Sequence, residues 1–178
     1  MPQIKVHDKT FDTFLSELEI HNQIKRIAQE INKDFAGKRP LFIAILNGSF
    51  MFASDLFKEL TIEAEVCFIK LASYKGIKST GQVVTSIGLD VSLKGRDVII
   101  IEDIVDTGKT LSEFLPQIEN QGPSSIKIAT LLHKPEALIF PLHLDYIGFS
   151  VANKFLLGYG LDYDGLGRNL KEIFQLVE

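Results

Sequence analysis

Val98–Leu111 reads VIIIEDIVDTGKTL. The stretch opens on four consecutive β-branched residues, Val98 to Ile101, which favour a strand. No polar residue alternates with them, as expected of a strand buried on both faces of a parallel sheet. Asp106-Thr107-Gly108-Lys109-Thr110 follows as a loop that opens a helix, predicted over Thr107–Gln121 with Leu111, Phe114, Leu115 and Ile118 on one side. Pro116 falls inside that helix and is expected to kink or shorten it.

The same grammar recurs outward. Leu41–Leu46 (LFIAIL) is a continuous apolar run, broken by Asn47-Gly48-Ser49 and followed by a helical Phe50–Leu60. Before it, Ser16–Phe35 reads as a helix: Ser16 and Glu19 have capping-box spacing, and Ile20, Ile24, Ile27 and Ile31 make one apolar stripe. Further strands are predicted at Glu65–Leu71, Val83–Ile87, Ile126–Leu132, Tyr146–Val151, Phe155–Tyr159 and Ile173–Val177. Strands alternating with helices predict an α/β fold with a central parallel sheet flanked by helices. Ligands of such sheets bind beyond the carboxyl ends of the strands. Three strand ends carry suitable chemistry: Asn47-Gly48-Ser49, then Glu102-Asp103 with Asp106–Thr110, then His133-Lys134-Pro135.

A loop that opens a helix attracts anions, through exposed N–H groups and the positive helix end. Gly108 lets a ligand approach the backbone, and Thr107 and Thr110 add hydroxyls, so a phosphate is the natural guest. A P-loop would need a glycine where this chain has Asp103, and no G-x-G-x-x-G follows a strand. Glu102, Asp103 and Asp106 crowd three carboxylates beside the phosphate cradle. Like charges so placed need a cation or hydrogen-bond donors. Ribose hydroxyls and Mg²⁺ supply these, which points to a sugar phosphate with free hydroxyls. Glu102-Asp103 alone would read as a solvated acidic loop; the full strand–loop–helix run does not.

Composition sets the frame. The chain has 178 residues, 46% hydrophobic and 24% charged, the size of one domain with a sizeable core. Its net charge of −4, from 19 basic and 23 acidic residues, argues against non-specific nucleic-acid binding. Cys67 stands alone, which suits a reducing compartment, and lies in an apolar run as a small hydrophobe. The first residues carry no secretory pattern. The longest uncharged stretch, Pro40–Ser54, is shorter than the ~20 residues of a spanning helix. A cytoplasmic protein with neither membrane nor nucleic-acid partners is expected.

VIIIEDIVDTGKTL resembles the phosphoribosyl-pyrophosphate motif of type I phosphoribosyltransferases. The resemblance extends to their hypoxanthine-guanine branch. LFIAILNGSFMFASDL looks like its pyrophosphate loop, and LASYKGIKSTGQV like its flexible lid. IATLLHKP and DYIGFSVANKFLLGYGLDYDGLGRNL look like its purine-binding and C-terminal segments. The four patterns occur in the family's order and cover nearly the whole chain.

The resemblance implies a single phosphoribosyltransferase domain over residues 1–178, with a lid at about 73–82 and a hood, built from terminal segments, at about 153–178. It implies transfer of a phosphoribosyl group from phosphoribosyl pyrophosphate to N9 of hypoxanthine or guanine in purine salvage. Glu102 and Asp103 would hold the ribose hydroxyls, Asp106 would be the general acid/base near N7, and Thr107, Gly108, Lys109 and Thr110 would cradle the 5′-phosphate. Leu46, Asn47, Gly48 and Arg168 would bind pyrophosphate, and the Leu46–Asn47 peptide can be cis in the family. Ser73 and Tyr74 belong to the lid. Lys134 would contact O6, Phe155 would stack on the base, and Leu156 and Asp162 would meet its edge through their backbones. Glu102, Asp103 and Asp162 would hold Mg²⁺. The branch often has Lys or Arg where this chain has Asn47, so pyrophosphate receives no side-chain charge there. A homodimer or homotetramer is implied, with Phe50, Phe52 and Phe57 as exposed apolar residues. A xanthine-preferring enzyme is the nearest rival. A regulatory binding protein of the same fold is the other class, disfavoured by the acidic balance and by Lys134, Asp162 and Arg168.

Overall fold

The structure is a computed structural model that describes residues 3–73, 83–87 and 89–177. Strands β1 (Gln3–Val6) and β2 (Lys9–Leu15) precede α1 (Glu17–Asp34), β3 (Leu41–Leu46), α2 (Phe50–Glu59) and β4 (Glu65–Ser73). Then come β5 (Val83–Ile87), β6 (Asp97–Val105), α3 (Lys109–Glu119), β7 (Ser125–His133), a 3₁₀ turn at Pro135–Ala137, β8 (Tyr146–Ser150), β9 (Leu156–Leu157) and β10 (Ile173–Leu176).

Among the described residues these strands form two sheets. The larger has the order β5-β4-β3-β6-β7-β8. Its β4, β3, β6, β7 and β8 run parallel, and β5 adds an antiparallel edge. Alternation along β3 divides the core. Phe42 and Ala44 pack with α1 and α2 on one face; Leu41, Ile43 and Ile45 pack with Leu111, Phe114 and Ile118 of α3 on the other. Both faces of the central strands are therefore covered, which explains their unbroken apolar sequence.

The α1 helix starts as its sequence predicts. The Ser16 hydroxyl accepts from the Glu19 N–H at 3.3 Å, and the Ser16 N–H donates to the Glu19 carboxylate at 2.9 Å. The helix α3 continues through Pro116 to Glu119 but begins at Lys109, after Gly108 in the left-handed region (φ +79°). Strand β6 outlasts its apolar run and carries Glu102 and Asp103 within it, paired with β7 as far as Val105 opposite His133.

The smaller sheet, β1-β2-β10-β9, joins the two ends of the chain and forms the hood. Phe11, Leu157 and Phe174 make its core. The N-terminal hairpin in it was not among the predicted strands, and the expected strand over 155–159 shortens to Leu156–Leu157. One expectation is corrected. Phe50 is exposed, but Phe52 is fully buried, and Phe57 is half-buried with its ring edge-on to Phe42 at 5.0 Å. The helical period turns Phe52 into the core. No described helix is long and apolar enough to cross a membrane.

Candidate active site

The parallel strands bring the ends of β3, β6 and β7 to one edge of the sheet, where two adjoining clefts open. Glu102 and the run Asp106–Thr110 line the first, of about 330 Å³. Asp103, Lys134, Phe155, Leu156, Asp162 and Arg168 line the second, of about 550 Å³. Asp106 and Ile104 border both. Neither Ile104 nor Leu161, also in the second cleft, was anticipated; an aliphatic side chain carries no chemical signature in sequence.

The first cleft is built around the loop that opens α3. Gly108 adopts a conformation that L side chains rarely take, and a Cβ there would lie 2.6 Å from the Phe140 carbonyl oxygen. Thr107 Oγ1 accepts from the Lys109 N–H at 3.3 Å, and the helix starts with the Ser112 N–H donating to the Gly108 carbonyl at 3.0 Å. The remaining first-turn N–H groups have no acceptor within a helix, and the helix end is positive.

Glu102 and Asp103 sit where the clefts meet. Burial first, then the neighbouring Asp103 charge, holds the Glu102 carboxyl well above the usual carboxylate range. Its Oε2 is buried without a hydrogen-bond partner. Burial also raises Asp103, against hydrogen bonds from Glu102 and the Ile104 N–H and the charge of Arg168. Asp103 lies against the β3–α2 loop so closely that a Cβ on Gly48 would come 1.7 Å from its Oδ2. The Leu46–Asn47 peptide before that glycine is cis. The Asn47 side chain is exposed.

The second cleft is equally ordered. Lys134, only 7% exposed, places Nζ 3.4 Å from Asp106 Oδ2. Phe155 is 44% exposed, yet its ring rests on Tyr163 edge-on at 5.8 Å and beside Phe11 at 6.2 Å. Leu156 pairs with Gln175 in the hood sheet. Arg168 is pinned by Asp162 Oδ1 at 2.7 Å and the Gly160 carbonyl at 2.6 Å. A Cβ on Gly160 would lie 2.0 Å from the Gly48 carbonyl oxygen, so the Arg168 anchor abuts the β3–α2 loop. Ser73 ends β4, opposite Val83, while Tyr74 and the rest of the expected lid up to residue 82 lie outside the described residues.

The three expected metal ligands do not close on one point: among the described residues no cluster of three His, Cys, Asp or Glu side chains could hold an ion. Glu102 faces one cleft, Asp103 and Asp162 the other. Mg²⁺ needs no all-protein cage, however; it keeps waters and joins one or two carboxylates to ligand phosphates. The unpartnered Glu102 Oε2 and the buried Asp103 carboxylate fit such a shared site.

A model of the phosphoribosyl transferase domain matches residues 12–164. The chain is 41% identical over 165 residues to the hypoxanthine-guanine phosphoribosyltransferase of Lactococcus lactis, covering 92% of this chain and 90% of that one. It is 40% identical over 164 residues to the protein of the same name from Streptococcus thermophilus, covering 92% and 91%. The chain belongs to the phosphoribosyltransferase family and, within it, to the hypoxanthine-guanine branch. Among solved structures, a hypoxanthine-guanine phosphoribosyltransferase from Bacillus anthracis matches with a TM-score of 0.88 at 36% identity, over 93% of this chain and 98% of that one. A hypoxanthine phosphoribosyltransferase from Staphylococcus aureus matches with a TM-score of 0.88 at 37% identity, over 93% and 91%.

Proposed function

We propose that this chain transfers the 5-phosphoribosyl group of phosphoribosyl pyrophosphate to N9 of hypoxanthine or guanine, giving inosine or guanosine monophosphate and pyrophosphate. The observation that carries this reading is the pairing of a buried Lys134 with Asp106 at the border of a phosphate cradle and a Phe155-lined cleft.

The 5′-phosphate sits on Thr107–Thr110, and Glu102 and Asp103 accept hydrogen bonds from the ribose hydroxyls. Phe155 stacks on the base, with the Leu156 and Asp162 backbones at its edge. Arg168, Leu46, Asn47 and Gly48 hold the pyrophosphate. Glu102 and Asp103 would hold Mg²⁺, which would neutralise charge on the departing pyrophosphate. As the bond from C1 to the pyrophosphate oxygen breaks, C1 gains positive character, which preorganised acids stabilise. N9 then bonds to C1, and Asp106 takes up the proton the purine loses. Lys134 selects the acceptor: an ammonium only donates, so it matches O6 and leaves a buried mismatch against the amino group of adenine. The lid at about 73–82 excludes water from the reacting carbon. The enzyme works in the cytoplasm as a homodimer or homotetramer, on small-molecule substrates.

The test is a Mg²⁺-dependent assay with phosphoribosyl pyrophosphate and hypoxanthine, guanine, xanthine and adenine in turn. Turnover with hypoxanthine or guanine and none with adenine is expected. A preference for xanthine would shift the acceptor, and activity on adenine alone, or on none, would overturn the reading.

A further inference from the structure

The connection between β7 and β8 touches the phosphate loop in an unusual way. The backbone N–H groups of Ile139 and Phe140 both donate to the Thr107 carbonyl oxygen, each at 3.0 Å. Their side chains do not explain the contact, because Ile139 is 70% exposed and Phe140 38% exposed. Their neighbours hold the segment instead. Leu138 and Leu142 pack on the cluster that contains Leu111 and Phe114 of α3, and their Cδ1 atoms lie 2.9 and 3.1 Å from where a Gly108 Cβ would be. The other end of the connection is fixed too: the Lys134 N–H donates to the Val105 carbonyl at 2.9 Å, and the Ala137 N–H to the Lys134 carbonyl at 3.1 Å.

A trans peptide is planar, with its C=O and N–H directed oppositely. Two donors on the Thr107 oxygen therefore turn the Gly108 N–H away from the segment, toward the open side of the loop. Glycine is the residue beside which a peptide plane rotates most freely. We propose that Leu138–Leu142 is a positioning element that locks the Thr107–Gly108 peptide in its anion-binding orientation, with the N–H groups of Ile139 and Phe140 as the lock. This rests on the reading that Thr107–Thr110 binds the 5′-phosphate. Because the segment continues directly from Lys134, one short stretch fixes both the base reader and the phosphate cradle.

Two variants remove one donor each: Ile139→Pro, and full-length enzyme in which an ester oxygen replaces the Phe140 N–H. Dissociation constants are measured for inosine monophosphate and for inosine, alongside KM for donor and base and the melting temperature. Each lost donor is expected to weaken monophosphate binding about three- to tenfold. Inosine affinity and the KM for the base should hold while the KM for the donor rises. Equal weakening of monophosphate and inosine, or no change in either, would overturn the proposal. Should Ile139→Pro fail to fold, the ester decides, since it changes one backbone group. If the unmodified enzyme binds inosine as tightly as the monophosphate, the phosphate-loop reading itself fails and takes the lock with it.

Discussion

Asp106 stands at the border of the two clefts with its side chain 48% exposed, paired with the much more buried Lys134. Its solvent contact limits what neutralising it costs the fold, while the proposed mechanism uses it to take up the purine proton. Asp106→Asn keeps shape and hydrogen bonding but cannot accept a proton. Turnover is expected to fall by about 10²–10⁴-fold, the usual range for a lost general base. The melting temperature should stay near that of the parent. Steady-state kinetics with differential scanning calorimetry checks both, and unchanged turnover would remove Asp106 from the chemistry.

At the scale of elements, the site is a junction of strand ends that touch each other's backbones. The loop after β3 presses Gly48 against Asp103 of β6, and Gly160 of the hood presses on Gly48 in turn. Gly48→Ala would drive a methyl group into the Asp103 carboxyl. Overpacking of this kind costs about 1–3 kcal/mol. Its mark in function should be a raised KM for the donor together with a raised Mg²⁺ requirement, read from donor and metal titrations; values equal to the parent's would show that the loop gives way freely. Elements of this sort differ in how far the sequence reveals them. The Ser16–Glu19 capping box, the β3 strand and the start of β6 are local signals, and they match the structure closely. The end of β6 was hidden because Glu102 and Asp103 look like a loop, while pairing with β7 carries the strand on to Val105. The hairpin β1–β2 was hidden because Phe11 and Leu15 alone among its strand residues are buried and its pairing partner, β10, lies at the other end of the chain. Neither the closeness of Gly48 to Asp103 nor the double hydrogen bond on Thr107 has any local signature; both arise where segments distant in sequence meet.

Across the whole molecule, a partly buried side-chain contact helps tie the large sheet's layer to the hood. The Tyr159 hydroxyl, in the loop after β9, donates to Asp55 of α2 at 2.6 Å, and Lys58 donates to the same carboxylate at 2.8 Å. Burial pushes Asp55 up, but the hydrogen bonds from Lys58 and Tyr159 outweigh it and hold the group below its ordinary value of 3.8. A carboxylate depressed by folding stabilises the folded state at pH values above its unfolded pKa, and that contribution disappears as pH falls through the folded value. Asp55→Asn should therefore lower stability at neutral pH by about 1 kcal/mol, discounted for partial solvent access. The gap to the parent should close as pH drops below 3.8. Melting temperatures of both proteins along that pH series test the linkage; a constant gap would mean that Asp55 contributes through shape rather than charge.

The order of strands in the hood bears on how the protein is made. Strand β10 lies between β2 and β9, so the sheet that carries the Phe155 region cannot be finished by the strands that precede it. A chain still emerging from the ribosome has every strand of the large sheet available once residue 150 is free. Its N-terminal hairpin must wait, with one edge unpaired, for Ile173–Leu176. The loop that opens α3 is thus available early in synthesis, whereas the Phe155 wall of the second cleft waits for β10.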